Sequence, residues 1–366
     1  MKKLTPEEII RIETLRLKRE RKRLERGLST LERVRSQRKK IRASHKSLSD
    51  NIFAFPGQLS IELPSVVSFK DNYEQTINFI NALRDAVLTD RMPVFLHFDN
   101  VISVSPAAAL VMTAEIYRCR NLRPGRGKKY LVNGNWPSND SARQLLSRMG
   151  FYRLMGLPDN LESAGESKAD KSIHLGFTSL KNVDAGKIAE FHQELLSKIN
   201  INLGSQEAKR LQGAIIEAIG NANEHAYKGE TRYQILKNRA WMSGYIDTDK
   251  SELMFMVMDQ GTGIPNTLDP TFIERALAVG SLSGTTPSDA ELIRLATTLN
   301  RTSTHKSGRG KGFETMKRFV QTVDDAELRI LSNRGEYLFK SDSDESNIDR
   351  IGSLGGTLVQ WSVSAW

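Results

Sequence analysis

Residues 253 to 265 read LMFMVMDQGTGIP. Six apolar residues in succession predict a buried strand, and Asp259 closes it on a carboxylate. Gly261 and Gly263 follow at once. An acidic residue at a strand's end beside two glycines can accept the amino group of a base while the backbone packs close to a flat ring. A tight turn with an exposed Asp is the plainer alternative.

Upstream, residues 205–227 have a helical pattern with Leu211, Ile215, Ala218 and Ile219 on one face. The helix contains EAIGNANEHAY, residues 217–227. Glu217 and Asn221 stand at i and i+4, so their side chains leave the same face one turn apart. A carboxylate and a carboxamide so placed can share a site with a water and a metal ion; a polar stripe on an amphipathic helix is the simpler reading of the pair alone. Downstream, Gly308-Arg309-Gly310-Lys311-Gly312-Phe313 precedes a helical run over 314–323. Glycines ahead of a helix N-terminus present backbone N–H groups to an anion, and Lys306, Arg309 and Lys311 add positive charge.

The order of these motifs is more telling than any one of them. A helix with Glu-x-x-x-Asn, a strand then Asp-x-Gly-x-Gly-Ile, a glycine loop then a helix, and a last strand at Gly355-Gly356-Thr357 together resemble the GHKL ATPases. EAIGNANEHAY and DQGTGIP look closest to the anti-sigma-factor serine kinase branch of that superfamily. The resemblance covers 186–366 and implies an α/β sandwich, a mixed sheet with helices on one face, that binds ATP and Mg2+. It implies that Asn221 is the magnesium ligand and that Glu217 is the catalytic residue acting on the attacking water. Asp259 would read adenine, with Gly261 and Gly263 shaping the purine wall and Thr357 close by. Gly308, Gly310 and Gly312 would form the phosphate loop, with Lys306, Arg309 and Lys311 beside it, and 266–307 the lid. Lys311-Gly312-Phe313 departs from the Leu-Gly-Leu usual in kinase members. The activity implied is a Mg-dependent ATPase or a nucleotide-controlled regulatory switch; a protein serine kinase and a binding-only nucleotide domain are the alternatives. A histidine autokinase is disfavoured, because His45 lies in Ala-Ser-His-Lys-Ser without an acidic neighbour.

Ahead of this region, strands are expected at 58–63, 94–98 and 129–132, and helices at 72–88, 106–120 and 140–149. VFLHFDNVISVSPAAALVM, residues 94–112, resembles the strand–loop–helix of STAS-type domains. In that family the loop before the helix carries a phosphorylated serine. Here Pro106 and Ala107 fall at that place, with Ser103 and Ser105 just upstream, so a docking or dimerisation domain is expected in preference to a phosphorylated one. The expected organisation is a basic helical arm at 1–46, a STAS-like α/β domain at 47–165, a polar linker at 166–185 and the ATP-binding domain at 186–366.

The charge is uneven. The chain of 366 residues carries 53 Lys/Arg and 43 Asp/Glu, a net of +10. Residues 1–46 hold 17 and 6 of these, which leaves 36 and 37 on the other 320. Any polyanion-binding patch belongs on that arm, where nucleic acid, through phosphate contact, and an anionic membrane surface are the alternatives to a solvated arm docked on protein. No aromatic is interleaved for base stacking. Capping signatures at Thr5-Pro6 and Ser29-Thr30 predict helices over about 6–26 and 30–43. Ile10, Leu17, Leu24 and Leu31 recur every seven residues and offer a stripe for a protein partner or a homodimer. With one cysteine, Cys119, no internal disulfide forms, and no apolar run approaches the roughly twenty residues of a membrane span. A cytoplasmic protein without a transmembrane segment is expected.

Overall fold

In the computed structural model the described residues are 54–55, 58–122, 131–155, 172–180, 185–197, 205–247, 249–278, 286–298 and 312–364. The expected arm helices, and Lys306, Gly308, Arg309, Gly310 and Lys311 of the glycine loop, lie outside them. Residues 53–366 belong to one compact unit of mixed α/β structure.

Its first part contains strands β1 (Ala54–Phe55), β2 (Gln58–Glu62), β3 (Val66–Val67), β4 (Val94–His97), β5 (Ser103–Val104) and β6 (Val132–Gly134). Four of them form a sheet in the order β1-β2-β4-β6, with β2, β4 and β6 parallel and β1 antiparallel at the edge. The parallel crossovers are helical: α1 (Tyr73–Arg84), continued by a π-helical turn at Asp85–Thr89, and α2 (Pro106–Leu122). The Ser105 hydroxyl accepts from the Ala108 N–H at 3.3 Å, so this serine caps α2. Helices α3 (Asp140–Arg148) and α4 (Phe151–Met155) complete the layer, and the Asn139 side chain caps α3.

The second part contains strands β7 (Ser172–Leu180), β8 (Ala240–Asp247), β9 (Glu252–Asp259), β10 (Ala326–Ser332), β11 (Gly335–Lys340), β12 (Glu345–Asp349) and β13 (Thr357–Ser364). They build a seven-stranded sheet in the order β12-β11-β10-β13-β9-β8-β7. Every pairing in it is antiparallel, where a mixed sheet was expected. Helices α5 (Ala185–Ser197), α6 (Ser205–Glu224), α7 (Ile264–Thr267), α8 (Pro270–Ala278), α9 (Asp289–Thr298) and α10 (Gly312–Val320) accompany it.

The stretch expected as a linker, 166–185, contains β7, which pairs with β8 and so belongs to this sheet. Its sequence SIHLGFTSL alternates apolar and small or polar residues, a pattern masked by the charged residues before it. The expected lid is also partly fixed structure. Ser288 and Glu291 close a capping box on α9, with N–H to carboxylate at 2.9 Å and N–H to hydroxyl at 3.3 Å. The same helix buries Ile293 in the main core, and its Ala290 N–H donates to Asp349 of β12 at 3.0 Å.

Both faces of the large sheet are covered, where helices on one face were expected. Alternation along the strands sends Met242, Phe255, Val257, Ile330, Val359 and Trp361 to a core closed by α5, α6 and α10. The opposite positions, Trp241, Tyr245, Met256, Met258, Leu331 and Leu358, join the core of the first part. Helix α2 lies between the two sheets and touches β6 on one side and β8 and β9 on the other. That position explains why it is buried nearly all round, from Ala107 to Cys119. Polar contacts stitch the same seam: Arg329 Nη2 to the Phe69 carbonyl at 3.1 Å, Tyr73 Oη to the Gly352 carbonyl at 3.0 Å, and Tyr233 Oη to Asp85 at 2.8 Å. No helix among the described residues is long and apolar enough to cross a membrane.

Candidate functional site

Helix α6 is the common partner of the three motifs. Glu217 and Asn221 sit half-buried one turn apart on it. The N-terminal end of α10 comes against this pair: a Cβ placed on Gly312 would lie 2.9 Å from Glu217 Oε2 and 3.5 Å from Asn221 Nδ2. The last residue of the glycine loop thus abuts the carboxylate and carboxamide in the C-terminal half of α6. The loop's other glycines lie outside the described residues.

Just past the end of α6, the Ala226 carbonyl accepts from the Thr262 N–H at 2.8 Å. A Cβ on Gly261 would stand 2.0 Å from that carbonyl, so only glycine allows this close approach. The same helix therefore holds Glu217 and Asn221 against α10 and ends on the loop that follows Asp259. Gly263 takes a positive φ of 83° in that loop, which Asn333 Nδ2 fixes through the Thr262 carbonyl at 2.9 Å.

Asp259 ends β9 directly opposite Thr357 on β13 and Ala240 on β8. It is 7% exposed. One carboxylate oxygen accepts from the Gly261 N–H at 2.8 Å, and the Thr357 N–H and hydroxyl bond the carboxylate as well. Burial pushes its pKa up to about 7, against the pull of those donors toward the charged form. Residues with no assigned part in the sequence motifs complete the surroundings. Ser332 Oγ lies 3.0 Å from Thr357 Oγ1 and accepts from the Ile264 N–H at 2.8 Å. The Tyr227 hydroxyl bonds the Arg239 carbonyl, and burial, helped by the Asp259 charge, raises its pKa. Ser332 comes from a strand end with no motif around it; Tyr227 closes EAIGNANEHAY and was visible there only as the end of a helix.

The structure thus brings Glu217, Asn221 and Gly312 together in one cluster, and Asp259, Gly261, Gly263 and Thr357 in a second. Helix α6 joins them. A chelating cage of three or more His, Cys, Asp or Glu does not occur among the described residues. Glu217 and Asn221 offer two oxygen-bearing side chains, a set that suits Mg2+ only if further oxygens come from phosphate and water. The chain matches no protein-family model and no curated protein sequence.

Proposed function

We propose that the chain binds ATP with Mg2+ in a GHKL-type site and acts as a nucleotide-controlled switch that hydrolyses its nucleotide. The observation that carries this reading is the meeting of three separated motifs on one helix, with Gly312 against Glu217 and Asn221 and with Gly261 against the helix end. A solvated polar stripe on α6 would not require glycine against the Ala226 carbonyl, where a Cβ on Gly261 would stand 2.0 Å away.

In this reading Asp259, fixed by Gly261 and Thr357, accepts from the exocyclic amino group of adenine. Gly261 allows the backbone to approach the ring. The N-terminal end of α10 points unpaired N–H groups at phosphate. Asn221 would hold Mg2+ together with phosphate oxygens, and the ion would neutralise charge on the transferred phosphoryl group. Glu217 orients a water for in-line attack and takes its proton as the new P–O bond forms and the bond to the β-phosphate oxygen breaks. ADP and inorganic phosphate leave. The first part of the fold, seated on the second face of the sheet, is the surface through which nucleotide state reaches a protein partner.

Calorimetry with ATP and Mg2+, paired with a phosphate-release assay, tests the reading. Binding with slow release of phosphate is expected. No binding at millimolar ATP overturns it, and transfer of the phosphoryl group to a protein hydroxyl replaces the hydrolytic step with a serine kinase.

A further inference from the structure

Two loops frame Asp259 at the end of the large sheet, 259–263 after β9 and 352–356 before β13. Both are gripped from the first part of the fold. Gln260 is 1% exposed, and its Nε2 donates to Glu115 Oε1 at 2.9 Å. Glu115 is wholly buried in the middle of α2, between the Arg84 guanidinium at 2.7 Å and that of Arg118. Arg84 also reaches the other loop: a Cβ on Gly355 would lie 3.3 Å from its Nη1. The two loops in turn press on each other, because a Cβ on Gly356, at φ 129°, would stand 2.3 Å from the Asp259 carbonyl oxygen. Lower on the second loop, Tyr73 bonds the Gly352 carbonyl.

Burying three charged groups brings little stability that well-packed apolar residues would not also bring. Geometry is what this triad supplies. Gln260 Oε1 has no hydrogen-bond partner, so the direction of the amide is set from its nitrogen side, by Glu115. Gln260 follows Asp259 directly, and Gly355 and Gly356 precede Thr357, so Glu115 holds one of the two strand ends that carry the Asp259–Thr357 pair through Gln260, and Arg84 lies against the other.

We propose that Glu115, with Arg84, is a positioning residue for the nucleotide site: through Gln260 and Gly355 it couples nucleotide occupancy to the seating of α2 on the large sheet. This inference rests on the nucleotide reading above. Coupling of this kind is reciprocal. A nucleotide that tightens the two loops slows opening around α2, and loosening the Glu115–Gln260 contact weakens the nucleotide.

The test uses the full chain, ATP with Mg2+, and amide hydrogen exchange with and without nucleotide. In the wild type, ATP should slow exchange over residues 110–118 of α2 as well as over the loops. Gln260→Ala leaves the ion triad paired, so the fold survives. It should weaken ATP roughly tenfold, within the range usual for coupled sites, and speed exchange at 260–263 without nucleotide. Glu115→Gln in addition should weaken ATP by less than the sum of the two single losses, because the two variants share the Glu115–Gln260 contact. Wild-type affinity in Gln260→Ala, or ATP protection confined to the two loops, overturns the coupling. If the wild type ignores ATP, the nucleotide reading and the coupling built on it both fail. The exchange of 260–263 in Gln260→Ala then still decides whether Glu115 fixes that loop: unchanged exchange shows that it does not.

Discussion

Asp259 has the chemistry to make binding depend on pH. Its carboxyl is pushed up to about 7 by burial, and only the ionised form accepts freely from an amino group. ATP affinity should therefore rise as pH increases through about 7, and the Asp259→Asn variant should lose that dependence and bind at least about tenfold more weakly, consistent with ~1–3 kcal/mol for an unpaired buried group. Calorimetry at pH 6 and 8 on both proteins checks this. The consequence for folding has the opposite sign. A raised pKa means that the native state holds the proton more tightly than the unfolded chain. The stability this gives is complete below about pH 3.8 and is lost as pH rises through about 7. Glu217 and Asn221 separate in function. Asn221→Ala should remove the Mg2+ dependence of binding. Glu217→Gln should keep binding and lower phosphate release about 10²–10⁴-fold, the range for loss of a general base. Release at the wild-type rate would remove Glu217 from that role.

At the scale of elements, β9 is the strand most exposed to mutation. Phe255, 1% exposed, faces the helices of its own half, and Met256, 0% exposed, faces the first part of the fold. Truncating either leaves a cavity. Phe255→Ala is expected to cost about 3–5 kcal/mol and Met256→Ala about 2–5 kcal/mol. Urea denaturation measures both. A near-neutral Met256→Ala would mean that the second face of the sheet is not packed in solution. Helix α2 carries the complementary half of that seam. Its Cys119 thiol, buried among apolar side chains and beside Glu115, is pushed up to about 12. It should stay unreactive to alkylating reagents until the protein unfolds.

At the scale of the molecule, the two α/β parts behave as one body because they share a core. A fragment that begins at residue 166 would bare Trp241, Tyr245, Met256 and Met258 along one sheet face. It is expected to aggregate, while a protein beginning near residue 47 stays soluble and folded in size-exclusion chromatography. Removing the arm also removes its excess of 11 positive charges. The shortened protein should lose any nucleic acid bound at low salt, and in the intact chain that binding should fall steeply with salt in a gel shift. Conversion of a dimer to a monomer on truncation would instead assign the Ile10, Leu17, Leu24 and Leu31 stripe to assembly.

Local pattern was enough to read the elements that define the candidate site. The apolar run before Asp259 marked β9, the 3.6-residue spacing around Ile215 marked α6, and the glycines ahead of Phe313 marked the approach to α10. These are short-range properties, set by backbone sterics and side-chain periodicity. The pairing of Asp259 with Thr357 spans nearly a hundred residues, and no periodicity encodes it. For the same reason Ser332 and Gln260 acquire their parts only when distant strand ends meet. The doubly apolar face of β9 was written in LMFMVMD, but which layer would cover each side was not. A strand's alternation states how much apolar surface must leave water; only the closed chain decides that α2, with Glu115 at its centre, is what buries it.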